Sequence, residues 1–202
     1  MVTLSYPSKC GFPFFPDAGH LLETINKGEH AMEFVLQQKV FSLHESFTVK
    51  DIDGNALYEV KGKLLSWGHK LTVKDLDGQE VMHVNEKVLS FPTKYTLETA
   101  DGQEVALHAH ITLLRAHYTL ETPNGDWDIH GDFVDHNYEM RCGDTTIATV
   151  HQKILSWGDC YEISVPNDGD AVLALGVVLA IDCINANKIS AKMNGVHAAQ
   201  SN

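Results

Sequence analysis

From residue 47 onward, apolar and polar positions alternate with a period of two, and turn residues interrupt the alternation at regular intervals. Phe47-Thr-Val-Lys-Asp-Ile-Asp-Gly-Asn-Ala-Leu-Tyr-Glu-Val60 sets the pattern, and it returns as Leu71–Val84, Tyr95–Leu107 and Tyr118–Ile129. Alternation of this kind places one set of side chains on one sheet face and predicts strands buried on that face alone. Asp53-Gly54, Asp77-Gly78, Asp101-Gly102 and Asn124-Gly125 interrupt the copies. They predict hairpin turns, because tight turns need positive φ and glycine adopts it without steric cost. Tyr138–Val150 is a shorter copy. Tyr161–Val165 begins another, but after Asp168-Gly169 the period changes.

The change is abrupt. Ala171 to Ile181 is a run of eleven apolar residues, which predicts a helix over about 170–185. A helix that is apolar on every face has to be sheathed by protein or by lipid. Eleven residues fall short of the roughly 20 that cross a bilayer, and Asp182 and Asn185 follow at once. The helix is therefore expected to be enclosed by the hairpins that precede it.

A second repeat alternates with the hairpins: a Lys, two apolar residues, Ser and another apolar residue. It occurs at Lys39–Leu43, Lys63–Trp67, Lys87–Phe91 and Lys153–Trp157, the first three copies starting 24 residues apart, with degenerate copies at His110–Leu114 and Asp132–His136. The period is too short for propeller blades of about 40–45 residues, and the Leu/Asn ladder of leucine-rich repeats is absent. Antiparallel hairpins in series that bury one face can instead close on themselves, which removes their exposed edges. Eight strands already give a barrel that side chains just fill, so ten to twelve strands leave an interior that needs something more. The expected fold is mainly β, a closed antiparallel barrel of about twelve strands around the C-terminal helix. Its domain is expected over 29–195, after an irregular extension at 1–28 whose Phe12, Phe14 and Phe15 pack onto it. Asn187–Asn194 reads as a short last strand, and 196–202 as a loose tail.

Composition narrows the function. The 202 residues carry 27 Asp and Glu against 15 Lys and Arg, a net charge of −12. That disfavours nonspecific binding to nucleic acid or to anionic membranes. Cys10, Cys142, Cys160 and Cys183 have no C-x-x-C spacing and are too few for a disulfide framework, so all four are expected reduced. Residues 1–15 lack the charged start and apolar core of a signal peptide, and the cytoplasm is the expected location, with peripheral membrane association as the alternative.

The Lys-φ-φ-Ser-φ copies, the Asp-Gly hairpins and the closing Ala180-Ile-Asp-Cys-Ile184, taken together, resemble the LURP-one-related family. That family belongs to the tubby C-terminal-like superfamily, which also holds the phospholipid scramblases. The resemblance spans about His30 to Lys192. It implies a twelve-strand barrel around a hydrophobic helix, and a non-catalytic module with links to defence in some plant members. It also implies a class in which tubby domains bind phosphoinositides and scramblases move lipids. Fold alone transfers none of these activities.

Candidate chemistry is sparse. His108 and His110 share a strand face, and His130 lies in the next hairpin. Because Val105, Leu107, Ala109 and Ile111 alternate with the first two as the inward set, the histidines are expected on the outside without a metal. Pro166–Asp170 gathers oxygen ligands where scramblases are thought to carry a calcium-binding segment. It lacks an EF-hand's ligand pattern, and Asp170 is expected to cap the helix. Asp182 is a carboxylate within apolar surroundings, for which a partner within hydrogen-bonding reach is expected, either a hydrogen-bond donor or a lysine such as Lys188 or one of the motif lysines. Ser42, Ser66, Ser90 and Ser156 recur with the repeat and are read as structural. Trp67 and Trp157, at equivalent positions, are read as packing aromatics. No catalytic residue, cofactor or metal ligand is expected. The expected function is a cytoplasmic module that binds a protein partner or a membrane lipid, in stress or defence signalling. The alternative is a scramblase-like protein dependent on phospholipid or calcium.

Overall fold

A computed structural model describes residues 31–37, 46–63, 68–87, 90, 93–111, 116–155 and 158–200. The extension at 1–28 lies outside these residues, as do Ser42, Ser66, Ser156, Trp67 and Trp157. The alternating segments form twelve strands: β1 (Met32–Gln37), β2 (Ser46–Lys50), β3 (Ala56–Lys63), β4 (Lys70–Lys74), β5 (Glu80–Lys87), β6 (Lys94–Thr99), β7 (Glu104–Ile111), β8 (Ala116–Glu121), β9 (Trp127–Asp132), β10 (Asn137–Cys142), β11 (Thr145–Leu155) and β12 (Gly158–Val165). A 3-10 turn (Asp168–Asp170) then leads into α1 (Ala171–Gln200). Neighbouring strands pair antiparallel in chain order, and β1 pairs with β12 to close the barrel. That closing seam runs from Met32↔Val165 to Gln37↔Cys160.

The turns follow from their sequence. In the β2–β3 hairpin the Gly54 amide donates to the Asp51 carbonyl at 3.1 Å, and the Asp51 amide donates to the Asn55 carbonyl at 2.9 Å. Asp75 and Thr99 anchor the same arrangement in the β4–β5 and β6–β7 hairpins. Gly54, Gly78 and Gly102 sit at φ +88°, +82° and +81°. A Cβ on any of them would meet nothing within 4 Å, so it is the left-handed backbone that selects glycine here. Each aspartate also works through its side chain: Asp75 Oδ1 accepts from the amides of Asp77 and Gln79 at 3.0 and 2.8 Å.

Because the pairing is antiparallel throughout, the Asp-Gly hairpins share one end of the barrel. The strand ends that lead into the Lys-φ-φ-Ser copies, at Lys63, Lys87 and Leu155, point to the other. Ser90 shows what the repeat's serine does. Its hydroxyl donates to the Lys87 carbonyl at 2.9 Å and accepts from the Lys94 amide at 3.1 Å, tying β5 to β6.

β12 delivers the chain to the Asp-Gly end, and α1 runs back through the barrel to the other. Ala171 and every residue from Leu173 to Ile184 are buried, against inward residues of the wall such as Phe34, Leu71, Met82, Leu97, Leu120 and Ile163. Gly176 marks a close approach of helix and wall. A Cβ there would lie 2.2 Å from Met82 Sδ and 2.7 Å from Leu97 Cδ2, and both of those side chains are themselves fully buried.

Two expectations about this helix need correction. It does not stop near 185 but continues to Gln200, through the stretch expected as a last strand and most of the expected loose tail. A helix already nucleated adds a hydrogen bond for each residue it extends, whereas a thirteenth strand would find no free edge on a closed barrel. Nor is it too short for a bilayer. Residues Asp168–Lys188 are long and apolar enough to cross one by length and composition, because Cys183, Ile184 and Ala186 extend the apolar run past Asp182. It is enclosure that distinguishes it from a membrane span, since most of that stretch is buried inside the barrel.

A third correction concerns the cysteines. Cys142 is disulfide-bonded, while Cys160 and Cys183 are free and buried; Cys10 lies outside the described residues. Compartment and spacing are priors, but pairing depends on Cα atoms coming within about 4.4–6.8 Å, which the sequence does not show.

Replacing Gly176 by Ala should test the contact between helix and wall. Helix propensity favours alanine by about 1 kcal/mol, but overpacking a closed core costs about 1–3 kcal/mol. A lower midpoint in urea or on heating is therefore expected, and an unchanged or higher one would show slack at this contact.

Candidate functional site

Near the end of the barrel where the helix leaves, its apolar surface gives way to Asp182, Asn185, Asn187 and Lys188. Asp182 follows Ala171 by about 16 Å along the axis at 1.5 Å per residue and is 5% exposed. The Tyr161 hydroxyl donates to its Oδ2. The His136 ring lies flat on the Tyr161 ring, with centroids 4.0 Å apart and an interplanar angle of 7°. This brings His136 Nδ1 to 3.6 Å from Asp182 Oδ1. Two more phenols complete the cluster: Tyr118 and Tyr138 are buried, and neither hydroxyl has a hydrogen-bond partner among the described residues.

Each side chain has a local reason for its position. The turn from β9 to β10 puts His136 at φ +50°, the one left-handed non-glycine among the described residues. That conformation is uncommon, and histidine is among the residues enriched in it. Phe133 in the same turn packs edge-on against Tyr118 at 4.7 Å and tilted against Tyr138 at 5.0 Å. Asn185 Nδ2 donates to the Phe133 carbonyl at 2.8 Å, fastening the turn to the helix. Across the barrel mouth, His69 Nε2 lies 2.9 Å from Asn187 Oδ1, and the His69 amide donates to Glu86 Oε2 at 3.1 Å.

Burial sets the protonation of the cluster. It pushes the Asp182 carboxyl up to about 7, against the opposing pull of the Tyr161 hydroxyl. It pushes the Tyr118 phenol to about 12, and those of Tyr138 and Tyr161 well above their ordinary value, with the nearby Asp182 adding to all three. It lowers His136, although Asp135 and Asp132 pull the other way. Near neutral pH the phenols and the imidazole are uncharged, and Asp182 is the group poised to exchange a proton. Chemically, the site is a buried proton holder.

The expectation that Asp182 has a partner within hydrogen-bonding reach holds, and of its two alternatives the hydrogen-bond donor is the one observed. It is the Tyr161 hydroxyl, with His136 close by, rather than a lysine. A phenol meets one oxygen of the buried carboxyl without bringing a second charge out of water, which avoids much of the cost of a buried ion pair, while Oδ1 has no hydrogen-bond partner among the described residues. The sequence carried a signal for this. Tyr95, Tyr118, Tyr138 and Tyr161 occupy the same position of the hairpin repeat, near the starts of β6, β8, β10 and β12, and all four are buried. A repeat that puts tyrosine at one register puts phenols at one end of the barrel.

The other candidates fall elsewhere. In the segment before the helix, Asn167 caps the 3-10 turn by accepting from the Gly169 amide. Asp170 is buried, and its Oδ2 accepts from Asn167 Nδ2 at 2.8 Å. Asn167 thus caps the 3-10 turn that leads into α1. His108, His110 and His130 face outward as expected, and His117, which sequence reading passed over, stands among them. No group of three or more His, Cys, Asp or Glu among the described residues is arranged to hold a metal ion as it stands.

A twelve-strand antiparallel barrel threaded by a C-terminal hydrophobic helix is the tubby C-terminal-like architecture. The sequence profile described as LURP-one-related matches residues 32–182, so the chain belongs to the LURP-one-related family. Among relatives, the uncharacterized protein YxjI of Bacillus subtilis is 23% identical over 156 residues, covering 77% of this chain and 95% of that protein. An X-ray structure of a protein from Arabidopsis thaliana superposes with a TM-score of 0.54 at 18% identity. It covers 76% of this chain and 91% of that one, a likeness of fold.

The raised Asp182 value carries a definite sign. The folded protein keeps this proton up to about pH 7, whereas the unfolded chain releases it near 3.8. The stabilisation from the retained proton is whole below the lower value and is lost as pH rises through the higher, up to about 4 kcal/mol in all. Asp182→Asn keeps an acceptor for Tyr161 and does not titrate. Relative to the parent it is expected to gain stability between about pH 4 and pH 7 and to hold that gain above, read from urea midpoints across that range. A difference from the parent that stays constant across that range would show that Asp182 is ionised throughout.

Proposed function

We propose that the protein is a non-catalytic binding module that engages a protein partner with the outside of its barrel. The observation that carries this reading is the helix itself. It occupies the barrel axis in direct contact with the wall, so the interior serves as core, and recognition falls to the outer surface and the two ends.

The Asp-Gly end offers a recognition surface. Ile52 and Leu76 stand at equivalent positions of successive hairpins, 49% and 67% exposed. Asp51 and Asp53 flank the first, and Asp75 and Asp77 the second. Apolar tips set among carboxylates suit a partner face that combines apolar and basic groups, and disfavour an anionic bilayer. Cytoplasmic residence and a place in stress or defence signalling belong to the same proposal. The bonded Cys142 makes the compartment testable by alkylating thiols at lysis; protection of Cys142 in freshly lysed cells would point to an oxidising compartment instead.

A second reading, scramblase-like association with phospholipid, draws support from the helix being long and apolar enough to span a bilayer. Co-sedimentation of the full chain with phosphatidylserine or phosphoinositide vesicles, with and without calcium, separates the two. We expect the protein to stay in the supernatant throughout. We also expect a photo-crosslinker at residue 76 to give discrete protein adducts in source cells that Ile52→Asp abolishes. Sedimentation with vesicles, or adducts indifferent to Ile52, would favour the lipid reading or refute the tips as the contact.

A further inference from the structure

Four of the chain's twelve histidines meet on the outer face of β7, β8 and β9, on the opposite side of the wall from the buried cluster. His108 and His110 are two apart on β7, so both point outward. His110 pairs in register with His117 on β8. Tyr118 pairs with Ile129, which sets His117 opposite His130 on β9. The rings form a nearly parallel row: 6.5 Å from His108 to His110, 4.5 Å from His110 to His117 and 5.7 Å from His117 to His130, with interplanar angles of 27°, 14° and 16°. The residues next to them in the strands, Val105, Leu107, Ala109, Tyr118 and Ile129, are all buried, so the strands that carry the imidazoles are fixed by the core while the rings stand outside it.

We propose that this face binds a divalent transition cation, zinc or nickel being the natural choices, through His110 and His117 with His108 or His130 as third donor. A His-x-His pair on one strand and an in-register histidine on its antiparallel neighbour is a three-imidazole donor set. Three imidazoles with a fourth position left to solvent is a coordination zinc accepts, and nitrogen donors select such cations over calcium or magnesium.

The surroundings fit a cation. Glu121 Oε2 lies 3.3 Å from His108 Nε2, a carboxylate placed to orient a ligating ring. The net charge of −12 draws cations towards the surface. As they stand, the rings are stacked face to face rather than turned edge-on to a common point. Exposed side chains reorient on the picosecond to nanosecond scale, so gathering two or three nitrogens asks for ring rotation and no movement of the sheet.

The test uses the full chain with zinc chloride alone. Isothermal titration should show one saturable site, and imidazole NMR should show His110 and His117 shifting or broadening together. His110→Gln and His117→Gln should each weaken that site at least tenfold, whereas His83→Gln, on the outside of β5, should leave it unchanged. All of these substitutions lie on the outer face and should leave the melting temperature unchanged. If His117→Gln nevertheless lowers it, His110→Gln alone carries the test. No saturable site, or a site whose affinity survives His110→Gln, would overturn the proposal.

Discussion

The structure depends on one steric fact: a barrel of twelve strands is wider than its own inward side chains can fill. Something apolar on every side has to occupy the axis, and α1 is the segment that qualifies. The dependence runs both ways. A helix with no polar face has nowhere to go in water, and a ring of hairpins around a void would lose the contacts on which its packing depends. Gly176 shows how far the fit is taken. Glycine is a poor helix former, yet alanine would drive its Cβ into Met82.

This mutual filling displaces function from where many barrels keep it. With the axis occupied, polar chemistry collects in two places. One is the mouth where the helix stops being apolar, where Asp182, Tyr161 and His136 form a buried cluster around a carboxyl that titrates near neutrality. The other is the outer face, where the pleat turns every second residue towards solvent and lets the register assemble a histidine row. The first is held by the core and answers to protons. The second stands on the core and is free to meet a ligand.

Much of this was legible in the sequence because the repeat carries its own geometry. Alternation around Val105, Leu107 and Ala109 told which face was inward, and hence that His108 and His110 were outward. The Asp-Gly pairs marked the turns, and the all-apolar run marked the axial helix. Other features were hidden for definite reasons. His117 comes from a strand whose register against β7 the sequence does not state. His136 reaches Asp182 across 46 positions by way of a left-handed turn residue. The extent of α1 beyond about residue 185 escaped because the all-apolar run ends at Asp182 and Asn185, and helix that continues outside the barrel leaves no such run to read.

The sequence by itself determined the period, the faces and the closure, because these follow from local rules: two residues per pleat, glycine where φ is positive, and no water-facing side on the helix. The tertiary structure alone decided which groups meet. Partners for Asp182, the bonded state of Cys142 and the alignment of the histidines across strands all depend on distances between residues apart in the chain, and those distances are set only when the barrel closes on its helix.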